Sequence, residues 1–562
     1  MANEFATSSH WQQDLVLLAK NTYVWLHQLS QKYAREISTL DQIPLEELQE
    51  IRSYGITALW LIGLWERSPA SRHIKQLYGH HHLIGSAYSV NSYNIASSLG
   101  GDTAMKVLKQ RAAQAGILLA CDIIPNHTGL DAPWVLDHPQ WYISTFSKPV
   151  STWQYNSENL SPREDIQIRI EDGYYTQQEA AEAFQYTTSS GFGPLYIYHG
   201  NDGTSMPWND TAQLDYLNPI VREKVRRQII AVAQQFPIIR LDAAMTLIRH
   251  HFKRLWYPDA GENKCIPTRE KFQMSQQEFD QRMPNEFWAE VLQDLQKNAP
   301  DTLLLAEAFW LMEKYFVHEI GMHRVYNSAF LNNLRDENNA QLRDYFKEIL
   351  SSDANLLERF VNYLTTPDEA PAVNAFGKGD KYFGVCGFMA ALPGLPLFGH
   401  GQMEGLSEHY GMDFEAPMLN EFPDYDFLQK HRMLIAPLLH QRSRFTDARR
   451  MRMFDFQKQN GGINENVFAF SICSHGLRTL IIYNNCPSQA NGYILQSSHS
   501  SPPDSNMQPS NLVSALELEG ANEVRLNEIR GIYARTVAVA DLQQNGLDLT
   551  LSPYQLLVLN ID

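Results

Sequence analysis

ILLACDIIPNH, residues 117–127, decides the reading of this chain. Its first eight residues form an apolar run of strand length, broken only by Asp122. Such a run is expected where both faces of a strand are buried, as in a parallel sheet. Just upstream, Asp102 can cap a helix carrying Met105, Leu108 and Ala115, which Gly116 stops. The same unit precedes it: Pro44 opens a helix with Leu45, Leu48 and Ile51 on one face, Gly55 ends it, and residues 56–64 are again a buried run. Residues 21–29 (NTYVWLHQL) read as a first strand. Downstream, residues 237–243, 302–308, 323–327, 359–364 and 395–400 are strands of the same kind, with helical stretches at 219–235 and 285–297. Eight strands alternating with helices favour a parallel sheet, open or closed as an eight-fold α/β barrel. No glycine-rich turn follows the first strand, so a dinucleotide-binding half has no support.

Two segments interrupt the alternation. Residues 128–210 lack periodicity and are rich in aromatics, among them Trp141, Trp153, Tyr155, Tyr174, Tyr175, Tyr186, Tyr196, Tyr198 and Trp208. A long insertion between a strand and its helix usually carries function, often as a lid. A second insertion, about 249–284, is polar and mixed. From about residue 445 the pattern changes to short alternating strands at 467–472, 479–483, 492–496 and 555–561, as in a small β-sandwich. Within it, residues 497–511 (SSHSSPPDSNMQPSN) read as a mobile loop. The expected division is a barrel over 1–127 and 211–444, an inserted lid over 128–210 and a β-sandwich over 445–562.

Composition narrows the function classes. Across 562 residues, 44% are hydrophobic and 11% aromatic, which excludes wholesale disorder. The net charge of −17 repels phosphate backbones, so no nucleic-acid partner is expected. Residues 56–65, the longest near-apolar run, reach about half a membrane span. The N-terminus lacks the pattern of a signal peptide, and the 5 cysteines are scattered without metal-ligand spacing. A cytoplasmic protein without a membrane partner is therefore expected; oligomeric state is not legible.

Chemistry concentrates at the strand ends. Asp122 lies inside ILLACDII with Asn126 and His127 just beyond, Arg240 and Asp242 in PIIRLDA, Glu307 in TLLLAEA, and Asp368 shortly after RFVNYL. Four acids at the ends of four parallel strands would converge at the C-terminal mouth of a barrel. Arg240 and Asp242, two apart on a strand, point to one face. The guanidinium would lower the Asp242 pKa and keep a carboxylate nucleophile ionised. Glu307 has no cation beside it in sequence; its apolar neighbours Leu305, Ala306, Ala308 and Phe309 would raise its pKa and keep a proton available. Any one of these acids alone is as well explained by capping or a salt bridge; the set of four is not. Two carboxylates held in opposite protonation states are the minimum equipment of a retaining glycosidase.

The segments CDIIPNH (121–127), IIRLDAAMT (238–246), LLLAEAF (303–309) and TTPDE (365–369) resemble, in order, the four signature regions of the α-amylase superfamily, glycoside hydrolase family 13. QLDYLNP (213–219) is similar to that family's additional motif near the end of its lid. The resemblance covers about residues 21–400 and implies a closed (β/α)8 barrel, a lid after strand 3 and a C-terminal β-domain. It implies Asp242 as nucleophile, Glu307 as general acid and base, and Asp368 as the acid that binds sugar hydroxyls and favours the distorted ring. Arg240 would orient Asp242, His127 and Tyr88 would contact the sugar being cleaved, and Asp122 would support the site from the third strand. The implied substrate is an α-glucan or malto-oligosaccharide. Most lid aromatics would pack its own core, the rest offering faces to sugar rings.

Two positions depart from the pattern. Pro367 stands where family members usually carry a histidine, and the threonine-proline pair is similar to that of α-1,4-glucan maltosyltransferases that use maltose 1-phosphate. A glucosyl- or maltosyltransferase on the same scaffold is therefore the alternative to a hydrolase. A non-enzymatic barrel is disfavoured by the intact Asp242, Glu307 and Asp368. The second departure is Met245-Thr246 in place of a lysine-histidine pair linked to a glucan subsite and to calcium. Asn126 and Asp215 remain as oxygen ligands, too few for a calcium cage, so no cofactor or metal is expected. The runs His80-His81-His82 and His250-His251 read as solvated loop histidines.

Overall fold

Residues Leu118–Ile123 form the third of eight parallel strands, each buried along almost its whole length. The others, in chain order, are Leu17–Asn21 (β1), Ala58–Ile62 (β2), Ile238–Leu241 (β4), Leu303–Ala306 (β5), Arg324–Tyr326 (β6), Phe360–Tyr363 (β7) and Leu395–Phe398 (β8), with Leu118–Ile123 as β3. They close into a barrel, β1 pairing with β8 through Leu17 opposite Leu397. The β3–β4 register sets Arg240 opposite Asp122, and the β4–β5 register sets Leu241 opposite Ala306. Asp242 and Glu307 thus step off neighbouring strands at the same height. The structure is a computed structural model that describes residues 10–176, 181–191, 193–204, 206–261, 265–308, 312–474, 476–498 and 510–562.

Seven expected strands lie where the sequence placed them, trimmed by one or two residues at the ends. The first does not. NTYVWLHQL is helical (Thr22–Lys32), and β1 is the apolar stretch before it. The Asn21 side chain accepts the Val24 N–H as an N-cap, and Val24, Trp25 and Leu29 fall on the buried face at helical spacing. Asp102 is also reassigned. The helix Gly101–Ala115 starts from left-handed Gly100 (φ 91°) without a side-chain cap, and Asp102 sits in its first turn, where its charge suits the helix dipole. Gly116 ends that helix in the left-handed conformation (φ 70°), as expected.

The lid segment builds a four-stranded antiparallel sheet from Ser144–Thr145, Ile166–Arg169, Ala183–Thr188 and Leu195–Tyr198. Trp141, Trp153, Tyr155, Tyr186, Tyr196 and Tyr198 are buried in it, whereas Tyr174 and Trp208 face the barrel mouth. Its base is closed by His127–Gly129 pairing with Thr211–Gln213. Gly200 sits where a Cβ would come within 2.8 Å of the Trp208 ring and 3.2 Å of the His127 ring, so only glycine allows the lid that close. The second insertion packs on the lid: Arg269 lies over Tyr198, and Thr268 hydrogen-bonds its hydroxyl at 3.1 Å.

The C-terminal β-domain joins Met451–Lys458, Val467–Ser474, Leu477–Asn484, Ala490–Ser497, Glu523–Glu528, Ala534–Ala538, Leu547–Leu551 and Leu556–Ile561 in one antiparallel sheet. Alternation divides its residues. Phe468, Phe470 and Ile472 join the barrel's core, while Val467 and Ala469 join a second core with Leu512 and Leu542. Of the expected loop at 497–511, residues 499–509 lie outside the described residues.

Candidate active site

Arg240 is the centre of the barrel mouth and is 1% exposed. Its Nη1 donates to Asp242 Oδ1 at 2.6 Å and, more weakly, to Asp122 Oδ1 at 3.4 Å. Its Nη2 lies 2.8 Å from Glu307 Oε2. The absence of a cation beside Glu307 in the sequence therefore does not hold in space: β4 brings Arg240 to it across the sheet. The guanidinium also lies over two aromatic rings, its carbon 5.4 Å from the Trp60 ring and 5.1 Å from the Tyr88 ring.

Each acid has further support. Trp60 Nε1 donates to Asp122 Oδ2 at 2.9 Å, and Trp65 Nε1 donates to the Asp122 carbonyl at 2.7 Å. Glu307 Oε2 also accepts the Ala243 N–H at 2.8 Å. Ala243 reaches that position in the left-handed region (φ 44°), strained for a residue with a Cβ and placed directly after Asp242. Asp242 and Glu307 both line the cleft. Asp368 faces the open cleft from the turn after β7, its N–H donating to Thr366 Oγ1 at 3.3 Å.

Burial dominates the titration of this cluster. It pushes Glu307 up to about 8 against the opposing pull of Arg240, with Asp242 and Asp368 adding repulsion. It also pushes Asp122 up to about 7. Asp242 is raised as well: burial outweighs Arg240, contrary to the lowering expected from the sequence spacing. One cation shared by three acids cannot hold each of them as low as a private ion pair would. His127 is driven down to about 4 by burial and so is neutral.

The cleft, about 580 Å³, is lined by Tyr88, His127, Asp242, Glu307 and Asp368. The sugar-contacting expectation for His127 meets one constraint, since its Nε2–H donates to the Tyr88 carbonyl at 3.1 Å. The ring face lies 5.0 Å from Trp208. Sequence reading missed several walls of the cleft: Lys75, Asp202, Asp210 and Met412 line it, and the Ala243 amide serves Glu307. Lys75 comes from the helix Pro69–Leu77 and the others from segments without a sequence pattern, and only folding gathers them. Met245 lines the cleft, but Thr246 is buried and turns back to the Ala243 carbonyl. His80, His81 and His82 are exposed. His251 is not; it is buried on the helix Arg249–Trp256 and its Nε2 donates to the Asp202 carbonyl at 3.0 Å. Phe309 lies outside the described residues.

The two candidate calcium ligands are engaged elsewhere. Asn126 Oδ1 accepts from Gln213 Nε2 at 2.9 Å, and Asn126 Nδ2 donates back to Gln213 Oε1 at 3.0 Å. Asp215 Oδ1 accepts from the Tyr257 hydroxyl and the Leu217 N–H, each at 3.0 Å. This donor set does not fit a calcium cage, which needs six to eight oxygens.

The sequence model of a family described as alpha amylase, catalytic domain, matches residues 34–366. No curated protein matches the sequence. Among solved structures, the chain is similar to a noncanonic maltogenic α-amylase, AmyB, from Thermotoga neapolitana (13% identity, 98% of each chain, TM-score 0.60). It is similar to an α-amylase from Geobacillus thermoleovorans complexed with acarbose (13% identity, 99% of each chain, TM-score 0.60). It is similar too to a trehalose-6-phosphate hydrolase from Bacillus licheniformis (13% identity, 98% of this chain and 100% of that one, TM-score 0.60).

Proposed function

Because the chain belongs to the α-amylase family and is an enzyme of that family, we propose that it is a retaining α-glycosidase acting on α-glucosidic, chiefly α-1,4, bonds of malto-oligosaccharides or glucans. The observation that carries this reading is one guanidinium bonded to both Asp242 and Glu307 at the floor of a cleft that Asp368 overlooks. A shared guanidinium favours the short carboxylate separation of about 5–5.5 Å that direct attack uses, rather than the wider gap that admits a water between them.

In the first step Asp242 Oδ2 attacks the anomeric carbon as the bond to the leaving oxygen breaks. Glu307 gives that oxygen its proton, so the leaving sugar departs neutral. In the second step Glu307 takes a proton from an incoming water, whose oxygen attacks the same carbon and releases Asp242. Two inversions retain the configuration. Asp368 hydrogen-bonds sugar hydroxyls as the ring flattens. Burial supplies the acid's proton: a Glu307 raised to about 8 is protonated at neutral pH. Tyr88, on which the Arg240 cation rests, offers its ring to the sugar in the cleavage subsite.

The Asn126–Gln213 amide pair joins the third strand's loop to the base of the lid and commits both polar atoms of the Asn126 side chain to a protein partner, in keeping with a site built without a cation cage. The scattered spacing of the 5 cysteines along the sequence accords with a cytoplasmic setting.

Pro367 favours one second reading, a transferase that passes the glycosyl unit to a sugar hydroxyl or to phosphate. Proton NMR of maltoheptaose with purified protein, with and without inorganic phosphate, separates the two. New α-anomeric reducing ends formed independently of phosphate support the hydrolase. An α-sugar 1-phosphate, or longer chains without net hydrolysis, replaces it with the transferase, and full activity in Asp242→Asn refutes both.

A further inference from the structure

Asp368 differs from its two partners in how it is held. Asp242 and Glu307 are buried and bonded to Arg240, whereas Asp368 is exposed on the turn that follows β7. The turn is closed locally: Thr365 Oγ1 donates to the Ala370 carbonyl at 3.0 Å, and the Glu369 N–H to the Thr366 carbonyl at 3.2 Å. Those bonds shape the turn without fixing its angle to the barrel.

A contact from another element does that. His409, on the loop after β8, places Nε2 at 2.6 Å from the Pro367 carbonyl, directly before Asp368. A carbonyl only accepts, so Nε2 carries the proton. Pro367 has no N–H and a restricted φ, which leaves its carbonyl as the one polar backbone group through which it can be gripped.

The loop that carries His409 is itself anchored on both sides of that residue. The Glu408 carboxylate accepts the Met418 and Leu419 N–H groups at 2.6 and 2.9 Å. The Glu421 carboxylate accepts the Ser407 and Glu408 N–H groups at 3.1 and 2.9 Å. Tyr410 next in sequence takes a hydrogen bond from Gln28 Nε2 at 3.1 Å, on the helix after β1. Two residues further on, Met412 lines the cleft. A fixed support thus ends in one exposed imidazole, and that imidazole holds the peptide leading into Asp368.

We infer that His409 is a positioning residue for Asp368, clamping the Pro367–Asp368 peptide so that the Asp368 carboxylate keeps its aim into the cleft. The inference rests on the role given to Asp368 above. Desolvation raises the Asp368 carboxyl pKa against the opposing pull of Arg240, so the clamp acts on the aim of this carboxyl. Since His409 is exposed, replacing it removes the clamp without opening the core.

The experiment is a double-mutant cycle read in kcat and KM on maltoheptaose. Misplacement of a reacting group by about 1 Å costs on the order of 100-fold, so His409→Ala should lower kcat by about 10- to 100-fold with KM little changed and Tm unchanged. His409→Gln, whose amide N–H reaches the same carbonyl, should restore kcat to within about threefold. In an Asp368→Asn background His409→Ala should cost less than about threefold, because the group it positions is gone. Additive losses, or a kcat untouched by His409→Ala, overturn the inference. Hydrogen exchange of the Asp368 and Glu369 amides provides a readout without any substrate. It should quicken in His409→Ala and recover in His409→Gln, and unchanged exchange overturns the clamp whatever the enzyme acts on. If exchange responds as expected but the wild type cleaves no α-glucoside, the proposed substrate fails and the clamp stands.

Discussion

Replacing Arg240 by methionine tests the electrostatic reasoning most directly. Methionine fills a similar volume in the buried site beside Trp60 and Tyr88 but carries no charge. The guanidinium lies 2.6 Å from Asp242, 2.8 Å from Glu307 and 3.4 Å from Asp122. A cation within contact distance lowers a carboxyl pKa by about 1–3 units. Removing it should raise Asp242 and Glu307 by that amount beyond the elevation burial already imposes. Asp242 must be ionised to attack, and below its pKa the ionised fraction falls tenfold per pH unit. On the acid side, kcat/KM for maltoheptaose should therefore drop by about 10- to 1000-fold and recover as pH rises. The alkaline limb, set in the wild type by a Glu307 near 8, should move up with it. Both limbs belong to the coupled pair, so the whole bell is expected to shift upward. The assay is kcat/KM from pH 4 to 10 for both proteins. A loss of equal size at every pH, with the bell in place, would refute the argument and make Arg240 a purely steric support.

Glu307→Gln should lose activity by about 100-fold or more, as general acids typically contribute, yet gain stability at alkaline pH. The wild-type carboxyl titrates near 8 in the folded state and near 4.5 unfolded, so between those values the folded protein binds more protons and its stability falls as pH rises. The Tm difference, variant minus wild type, should therefore grow from pH 5 to pH 9, and a constant difference contradicts the burial account. Phe388→Ala should destabilise by about 3–5 kcal/mol in urea unfolding, because Phe388 is 0% exposed and packs on Phe468 at 5.5 Å and Tyr483 at 5.0 Å, where the barrel meets the β-domain. Less than about 1 kcal/mol would mean the interface repacks. Chelation by EDTA should leave wild-type Tm and activity unchanged. Gln213→Ala, which strands the buried Asn126 amide, should cost about 1–3 kcal/mol; loss of activity on chelation would instead reveal a cation requirement.

The strands were legible because a parallel strand buried on both faces must be apolar throughout, a pattern that survives without neighbours. The first strand shows the limit of that rule. LVLLA (residues 15–19) and NTYVWLHQL (21–29) are adjacent apolar runs, and only the Asn21 cap separates strand from helix. The edge strand Ala534–Ala538 and its neighbour Glu523–Glu528 escaped notice because one face of each is solvated and the apolar signal is diluted.

The acids themselves were readable for the same reason. Asp242 and Glu307 stand out against runs that physics requires to be apolar, and an ionisable group left there needs a function or a partner. Their identity, their order along the chain and the parallel frame behind them were determined by sequence alone. What the tertiary structure decided is which charges meet. Strand register sets Arg240 beside Glu307, 67 positions away in sequence, and the burial that comes with the closed barrel reverses the titration expected of Asp242. The fold also brings His409 to the peptide before Asp368. Electrostatic and hydrogen-bond energies depend on distances of a few ångströms, and those distances exist only after the barrel has closed.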